Sequence, residues 1–387
     1  MAKKMLNLKK YYRDGYLIFE IRGIRIKVSK QIETIKRHKK TDTTYAPCNL
    51  EEDTVFINLV GDLMCETFCQ QKCIYDGVYS YKNCFRYVKS VLEDADFTIG
   101  NLESTISENH PYMGQTSRLN GGYNCNSPVE FLDAVRHAGF NVLTAANNHN
   151  LDAQKRGHLD TIRHIEEYGF QYTGIFKDEN QERFLILEKK GIKIGVLSYY
   201  TEHNKIQNDF SADDIKLFFN KYSKAKAAQD VRILREKGAD FIIAYIHWGI
   251  ERVHTTTPYQ RRTARELAEA GVDFIAGSHP HALQPYDEIA VKGKKVPVCF
   301  SLGNFLSSSK LGQCTRDTVI WQLKLQKRNG VCSLIGNDYI PCQIFDTFDN
   351  FDYPVIPLVE KFNSGISSPM FKKSIRRIDK ILGKKNM

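Results

Sequence analysis

GFNVLTAANNHNLD, residues 139–152, is an apolar run from Phe140 to Ala146 that stops at Asn147, Asn148, His149 and Asp152. A buried strand ending in amides, an imidazole and a carboxylate sets metal-binding and proton-transferring groups at its carboxyl end, where open α/β sheets build their sites. Taken alone, Asn-His is a common turn pair. Four other runs repeat the pattern, however. Val55 to Val60 leads into Gly61-Asp62, and Phe97 to Ile99 into Gly100-Asn101-Leu102-Glu103. Phe241 to Ile246 leads into His247-Trp248-Gly249, and Phe274 to Ala276 into Gly277-Ser278-His279-Pro280-His281. Neighbouring strands lie about 5 Å apart, so groups at several strand ends can meet at one point.

The groups form a coherent set. Asp62, Glu103, Asn148, His247, His279 and His281 offer two carboxylates, an amide oxygen and three imidazoles. Such a mixed oxygen and nitrogen set suits manganese, iron(II) or zinc better than magnesium or calcium, whose sites use oxygen almost alone. A bridging carboxylate would allow two divalent ions about 3.5–4 Å apart, the arrangement that activates water and neutralises attacking and leaving oxygens.

The segments INLVGDLM, FTIGNLES, Gly122-Tyr123, Ser127-Pro128, GFNVLTAANNHNLD, IHWGIE, GVDFIAGSHPHALQP and FSLGNF, spanning about residues 54 to 310, carry a resemblance. They resemble the CapA family of bacterial capsule-synthesis proteins linked to poly-γ-glutamate, within the calcineurin-like metallophosphoesterase superfamily. The resemblance implies an α/β fold, a two-sheet sandwich flanked by helices in four layers (α/β/β/α), with a dinuclear metal site at the strand ends. Asp62 then matches the first metal-binding aspartate and Glu103 a bridging acid. Asn148, His247 and His279 complete the second ion, and His281 returns to the first. His149 matches the residue that protonates a leaving group, a task suited to an imidazole. Two departures stand out. Met64 occupies the place of a ligand histidine in the wider superfamily, as the CapA family prefers, and the longer Glu103 replaces a bridging aspartate.

Other polar groups are candidates for supporting ligands or meeting substrate. Glu251 and Arg252 follow His247 in one loop, Asn304 lies in SLGNF, and Tyr123 and Asn124 precede Ser127-Pro128. Glu251 is the expected acceptor for the free N–H of a metal-bound imidazole. Asn124 and Asn304 are expected to satisfy loop backbone groups.

Composition supports a folded enzyme-sized core: 387 residues, 42% hydrophobic and 11% aromatic. No apolar stretch reaches the roughly 20 residues of a spanning helix, and MAKKMLNLKKYYRDGYLIFE has no signal core. The expectation is a cytoplasmic protein, peripheral at the inner face of the cytoplasmic membrane. Ten scattered cysteines suggest free thiols. Cys65, Cys69 and Cys73 recur every four residues and can share a helix face, but with no evident fourth ligand for zinc.

Charge is segregated. Residues 1–40 hold thirteen Lys/Arg against three Asp/Glu and residues 371–387 seven against one, so the remainder carries −6 of a whole-chain +10. In SPMFKKSIRRIDKILGKK, Phe371, Ile375, Ile378 and Leu382 form an apolar stripe among basic residues. Such a helix can lie on an anionic membrane or pack its stripe on the domain. No nucleic-acid reading motif accompanies the charge. The leader YLIFEIRGIRIKVSK alternates apolar and basic residues as a hairpin or edge strand would, and it resembles short leaders of bacterial surface-polysaccharide glycosyltransferases.

Three parts are expected: a basic leader and linker (1–47) including RHKKTDTTYAP, a catalytic domain (48–350), and a C-terminal extension (351–387). Helices are expected near 84–94, 128–138, 153–168, 222–237 and 259–270, with Ser127 and Thr257 as caps before prolines. Later strands are expected near 193–199, 296–301, 319–326 and 333–340. The functional expectation is a dinuclear-metal hydrolase acting on a phosphoester or amide bond of a cell-envelope polymer or its precursor, with polysaccharide-assembly proteins as partners. The alternatives are a non-catalytic polymer-binding scaffold, marked by Met64, and a soluble intracellular phosphodiesterase.

Overall fold

Strand β1 (Thr54–Leu63) is almost wholly buried because both of its faces are covered. Val55, Ile57 and Leu59 point into one core, while Val60 and Leu63 point into another. The structure, a computed structural model, describes residues 54–307, 312–345, 353–363 and 365–383, together with the backbone of three N-terminal strands.

Beyond β1 the strands are β2 (Phe97–Leu102), β3 (Val142–Thr144), β4 (Gln171–Thr173), β5 (Leu185–Lys189), β6 (Ile192–Tyr200), β7 (Phe241–His247) and β8 (Phe274–Ser278). There follow β9 (Leu283–Val291), β10 (Lys294–Leu302), β11 (Asn304–Leu306), β12 (Asp317–Arg328), β13 (Val331–Ile344) and β14 (Val355–Pro357). They form two sheets, β4-β3-β2-β1-β12-β13-β14 with β11 beside β1, and β5-β6-β7-β8-β10-β9. In each sheet the central run is parallel: β1 to β4 in the first, and β6, β7, β8 and β10 in the second.

The inner faces meet in one core, where Ile57, Leu59 and Ile99 join Ile194, Ile243 and Phe274. The Tyr245 hydroxyl crosses that core to the carbonyls of Val60 and Ile99, at 3.3 and 3.1 Å, fastening the sheets where their parallel strands end. Helices α1 (Thr67–Lys72), α2 (Glu130–His137) and α3 (Gln154–Glu167) lie on the first sheet's outer face, and α4 (Lys224–Glu236) and α5 (Pro258–Ala270) on the second's. This is the four-layer sandwich expected from the sequence.

Several local expectations need correction. Thr257 caps α5 in a reciprocal box with Gln260, but Ser127 caps nothing. Instead Ser127 pairs in parallel with Ile106, a tertiary contact that takes it out of the helix entry. The helix expected near 84–94 is a 3₁₀ turn, Lys82–Phe85, then a short helix, Lys89–Glu93. Strand β3 stops at Thr144 because the Asn147 and Asn150 side chains both donate to the Ala145 carbonyl and turn the chain.

Residues 353–383 are no appendage. Strand β14 pairs with β13, and helix α6 (Pro369–Leu382) sends Phe371, Ile378 and Leu382 into the inter-sheet core. The apolar stripe is thus spent on packing, so α6 does not offer it to a membrane, while Lys372, Lys373, Arg376 and Lys380 face outward.

Residues 1–51 cluster as a separate unit, within which the described residues form an antiparallel meander of Leu8–Arg13, Tyr16–Ile21 and Ile24–Val28. The expected linker RHKKTDTTYAP lies outside the described residues. No helix of the described residues is long and apolar enough to cross a membrane.

Candidate metal centre

Asp62 sits at the end of β1, registered against Asn101 of β2 and Asn304 of β11. The strand bulges before it, and its N–H donates to the Gly303 carbonyl at 2.9 Å. A Cβ on Gly61 would lie 1.8 Å from that same oxygen, so only glycine lets the two backbones approach. Glu103 follows β2 directly, Asn148 and His149 occupy the turn after β3, and His247 ends β7. His279 and His281 lie in the turn after β8 with φ of 92° and 54°, a left-handed conformation that costs non-glycine residues energy. The His279 N–H, bonded to Asp62 Oδ2 at 3.2 Å, and the Pro280 carbonyl, bonded by the Arg252 N–H at 2.6 Å, hold that turn.

These residues, 219 positions apart at the extremes (Asp62 and His281), converge. Asp62, Glu103 and His281 each bring a ligand atom within 4.8 Å of the others, and so do Glu103, His247 and His279. Glu103 belongs to both groups. Asn148 Oδ1 joins the second group, 2.7 Å from His247 Nε2. That nitrogen also lies 3.1 Å from His279 Nδ1 and 3.3 Å from Glu103 Oε1.

The surroundings orient the set. His247 Nδ1 faces Ser278 Oγ at 3.0 Å, which leaves Nε2 toward the cluster. The Asn101 amide donates to Asp62 Oδ1 at 2.8 Å, and Asn304 Oδ1 lies 2.9 Å from His281 Nδ1. The structure places two of the supporting candidates. Ser278, not Glu251, partners His247, because their strands are adjacent; and Asn304 orients His281 rather than only its own loop, although its amide also reaches the Thr315 carbonyl. Asn124 behaves as expected, donating to the Pro111 and Thr116 carbonyls.

Glu251 and Arg252 are half-exposed beside one another. Glu251 lines a cavity of about 530 Å³ together with Asn148, His203, His247, Tyr259 and His279, which places it where a substrate would enter. Tyr123 is half-exposed with the Arg118 guanidinium over its ring, a contact that explains its position without reference to the metal ligands.

Electrostatics set the protonation. Burial would raise the Asp62 pKa, but the hydrogen bond and charge of His281 hold it below the usual carboxylate value. Burial, then the neighbouring Asp62 charge, push Glu103 well above its usual value. Burial drives His247 down to about 3 and His279 well down. His281 is the exception: burial lowers it, but Glu103 and Asp62 together raise it to about 10.

Cation binding is the arrangement these donors fit. Both Glu103 oxygens are buried without a hydrogen-bond partner. Around His247 Nε2 stand an amide oxygen, a carboxylate oxygen and a second imidazole nitrogen, more lone pairs than one proton can serve. A divalent ion satisfies them together.

His149 is built differently. Its Nδ1 lies 2.7 Å from Asp152 Oδ2, which also accepts the Cys125 N–H at 2.8 Å. Its Nε2 lies 3.7 Å from Cys125 Sγ, and the Asn204 amide sits 3.3–3.4 Å from both ring nitrogens. Burial alone would lower its pKa, but the Asp152 carboxylate raises it to about 9. The imidazole is thus held protonated at neutral pH. Asp152 and Asn204 have no assigned role in the sequence reading; the spacing His149-x-x-Asp152 on a tight turn was the available signal. Met64 is buried in a small cluster with Met113 and Cys125.

The model for bacterial capsule synthesis protein PGA_cap matches residues 56–309, about two-thirds of the chain. The chain belongs to this family. Capsule biosynthesis protein CapA of Bacillus anthracis is 26% identical over 79% of this chain and 71% of its own length. PGA biosynthesis protein CapA of Bacillus subtilis is 27% identical over 72% and 70%. Among solved structures, the calcineurin-like phosphoesterase YfkN from Bacillus subtilis aligns at TM-score 0.43 with 14% identity, covering 85% of this chain and 97% of that one.

Proposed function

We propose that this PGA_cap family member is a dinuclear-metal-dependent hydrolase that cleaves a phosphoester or amide bond in poly-γ-glutamate, a surface polysaccharide or one of their precursors. The observation that carries the reading is Glu103, a fully buried carboxylate with both oxygens unpartnered and shared by two convergent ligand groups. Asp62, Glu103 and His281 would hold one manganese, iron or zinc ion, and Glu103, Asn148, His247 and His279 the other. Such a pair supplies Lewis-acid activation of water and of the electrophile.

The chain's own groups do the rest. Protonated His149, steadied by Asp152, gives its proton to the leaving group. Asn101, Ser278 and Asn304 keep the ligands in register, and Glu251 and Tyr259 meet the substrate in the 530 Å³ cavity. The names of the two CapA relatives support a capsule polymer as substrate, and the basic outer face of α6 suits contact with polysaccharide-assembly proteins or an anionic membrane surface. The test uses the purified full chain with bound metals counted by elemental analysis, and with poly-γ-glutamate and phosphodiesters offered as substrates. Asp62→Asn is expected to lose metal and activity, and His149→Ala to lose activity while keeping metal. A wild-type protein that takes up none of the three metals would sink the proposal.

A second reading, a polymer-binding scaffold without turnover, is favoured by Met64. Its thioether lies in an apolar cluster where the wider superfamily has a ligand, leaving the Asp62 side short of one donor. Under this reading His149→Ala leaves polymer production in cells intact.

A further inference from the structure

Three cysteines of the segment following Asp62 and one from the turn beyond it meet beneath the first sheet. Cys65, Cys69, Cys73 and Cys84 are all fully buried. Cys69 lies on α1, Cys65 just before it, Cys73 terminates that helix, and the short hairpin of Ile74–Tyr75 and Val78–Tyr79 returns the chain so that Cys84 comes back to them. The Ser80 N–H, bonded to the Cys73 carbonyl at 2.8 Å, closes that return.

The sulfur atoms of Cys69, Cys73 and Cys84 lie within 4.8 Å of one another, and Cys65, outside that group, stands beside Cys69. Cys73 and Cys84 are 3.7 Å apart, far longer than a disulfide. A tetrahedral zinc ion with Zn–S bonds of about 2.3 Å sets its sulfurs ~3.8 Å apart, so the spacing already suits the ion.

A second observation concerns Tyr81. Its side chain is fully buried near Cys65 and its hydroxyl has no hydrogen-bond partner, thiols included, so a polar group is left unsatisfied beside the cysteines. The Tyr353 backbone N–H points to Cys84, and Arg86 stands near enough to offset negative charge there.

We propose that Cys69, Cys73 and Cys84, with Cys65 as the fourth ligand, form a structural zinc site separate from the carboxylate and histidine centre. Each thiol gives up its proton on binding, no redox change is needed, and the closed, buried site leaves no position for substrate. Its role is to tether residues 65–84, the segment that leads directly away from Asp62.

The test uses the full chain produced in zinc- or cobalt-supplemented cells. Only thiolate ligation gives cobalt an intense sulfur-to-metal charge-transfer band in the near ultraviolet, which the oxygen and nitrogen centre cannot supply. The band is expected in wild type and in Asp62→Asn, and is lost in Cys73→Ser and Cys84→Ser, with about one zinc fewer per chain. Should those variants misfold, wild type still decides: a mercurial thiol reagent is expected to release about one zinc that brief chelation leaves in place. Absence of the band in wild type, four titratable thiols with no metal released, or a Cys73–Cys84 disulfide in the purified protein would each overturn the proposal.

Discussion

At the scale of single residues, the ligand set is a charge problem awaiting cations. Without metal, burial and then the Asp62 charge push the Glu103 carboxyl well above its usual value, and His281 is raised to about 10 because the pull of the carboxylates outweighs burial. His281 must surrender its proton to become a ligand. Loading divalent ions near pH 7 is therefore expected to release about one proton per chain from His281. The sign follows: affinity rises with pH and levels off above about 10, where His281 is already neutral. Calorimetry in buffers of different ionisation enthalpy reads this directly, and binding heats that do not vary with buffer would refute it. Which residues meet in the cluster was legible, since each ends an apolar run. Their partners were not: Ser278, Asn101 and Asn304 matter only through the neighbour that folding gives them.

At the scale of elements, the centre depends on backbone approach. β11 can pair with β1 only because Gly61 leaves room for the Gly303 carbonyl. Gly61→Ala is expected to cost about 3 kcal/mol, at the upper end for overpacking, and to weaken metal binding by displacing Asp62. Thermal melts with metal titration check it; an alanine variant as stable and as metal-competent as wild type would show that the close approach is not required. The long parallel strands were legible from their uninterrupted apolar runs. Short pieces such as α1 and Ala212–Phe218 were not, because six or seven residues carry too little periodicity and owe their helicity to packing.

At the scale of the whole molecule, α6 and β14 convert an expected extension into part of the sandwich. Arg377 of α6 reaches Asp317 at the head of β12, with Nη2 2.7 Å from Oδ1, and Gln343 donates to that same oxygen at 2.8 Å. Asp317 is 1% exposed and Arg377 26%. Arg377→Ala leaves the buried carboxylate short of its counter-charge, and about 2 kcal/mol of stability should be lost once the arginine's partial exposure is discounted. Chemical denaturation measures it; a change below about 0.5 kcal/mol would mean that α6 is held by its apolar stripe alone. The sequence by itself determined the polar groups at the strand ends, the parallel core strands and the amphipathic character of α6, because each is written in local periodicity and residue type. Tertiary structure decided which groups share Glu103, that Asp152 charges His149, that α6 buries its stripe in the domain, and that Cys84 joins Cys65, Cys69 and Cys73. Those outcomes rest on contacts between segments distant in the chain, whose register no local pattern encodes.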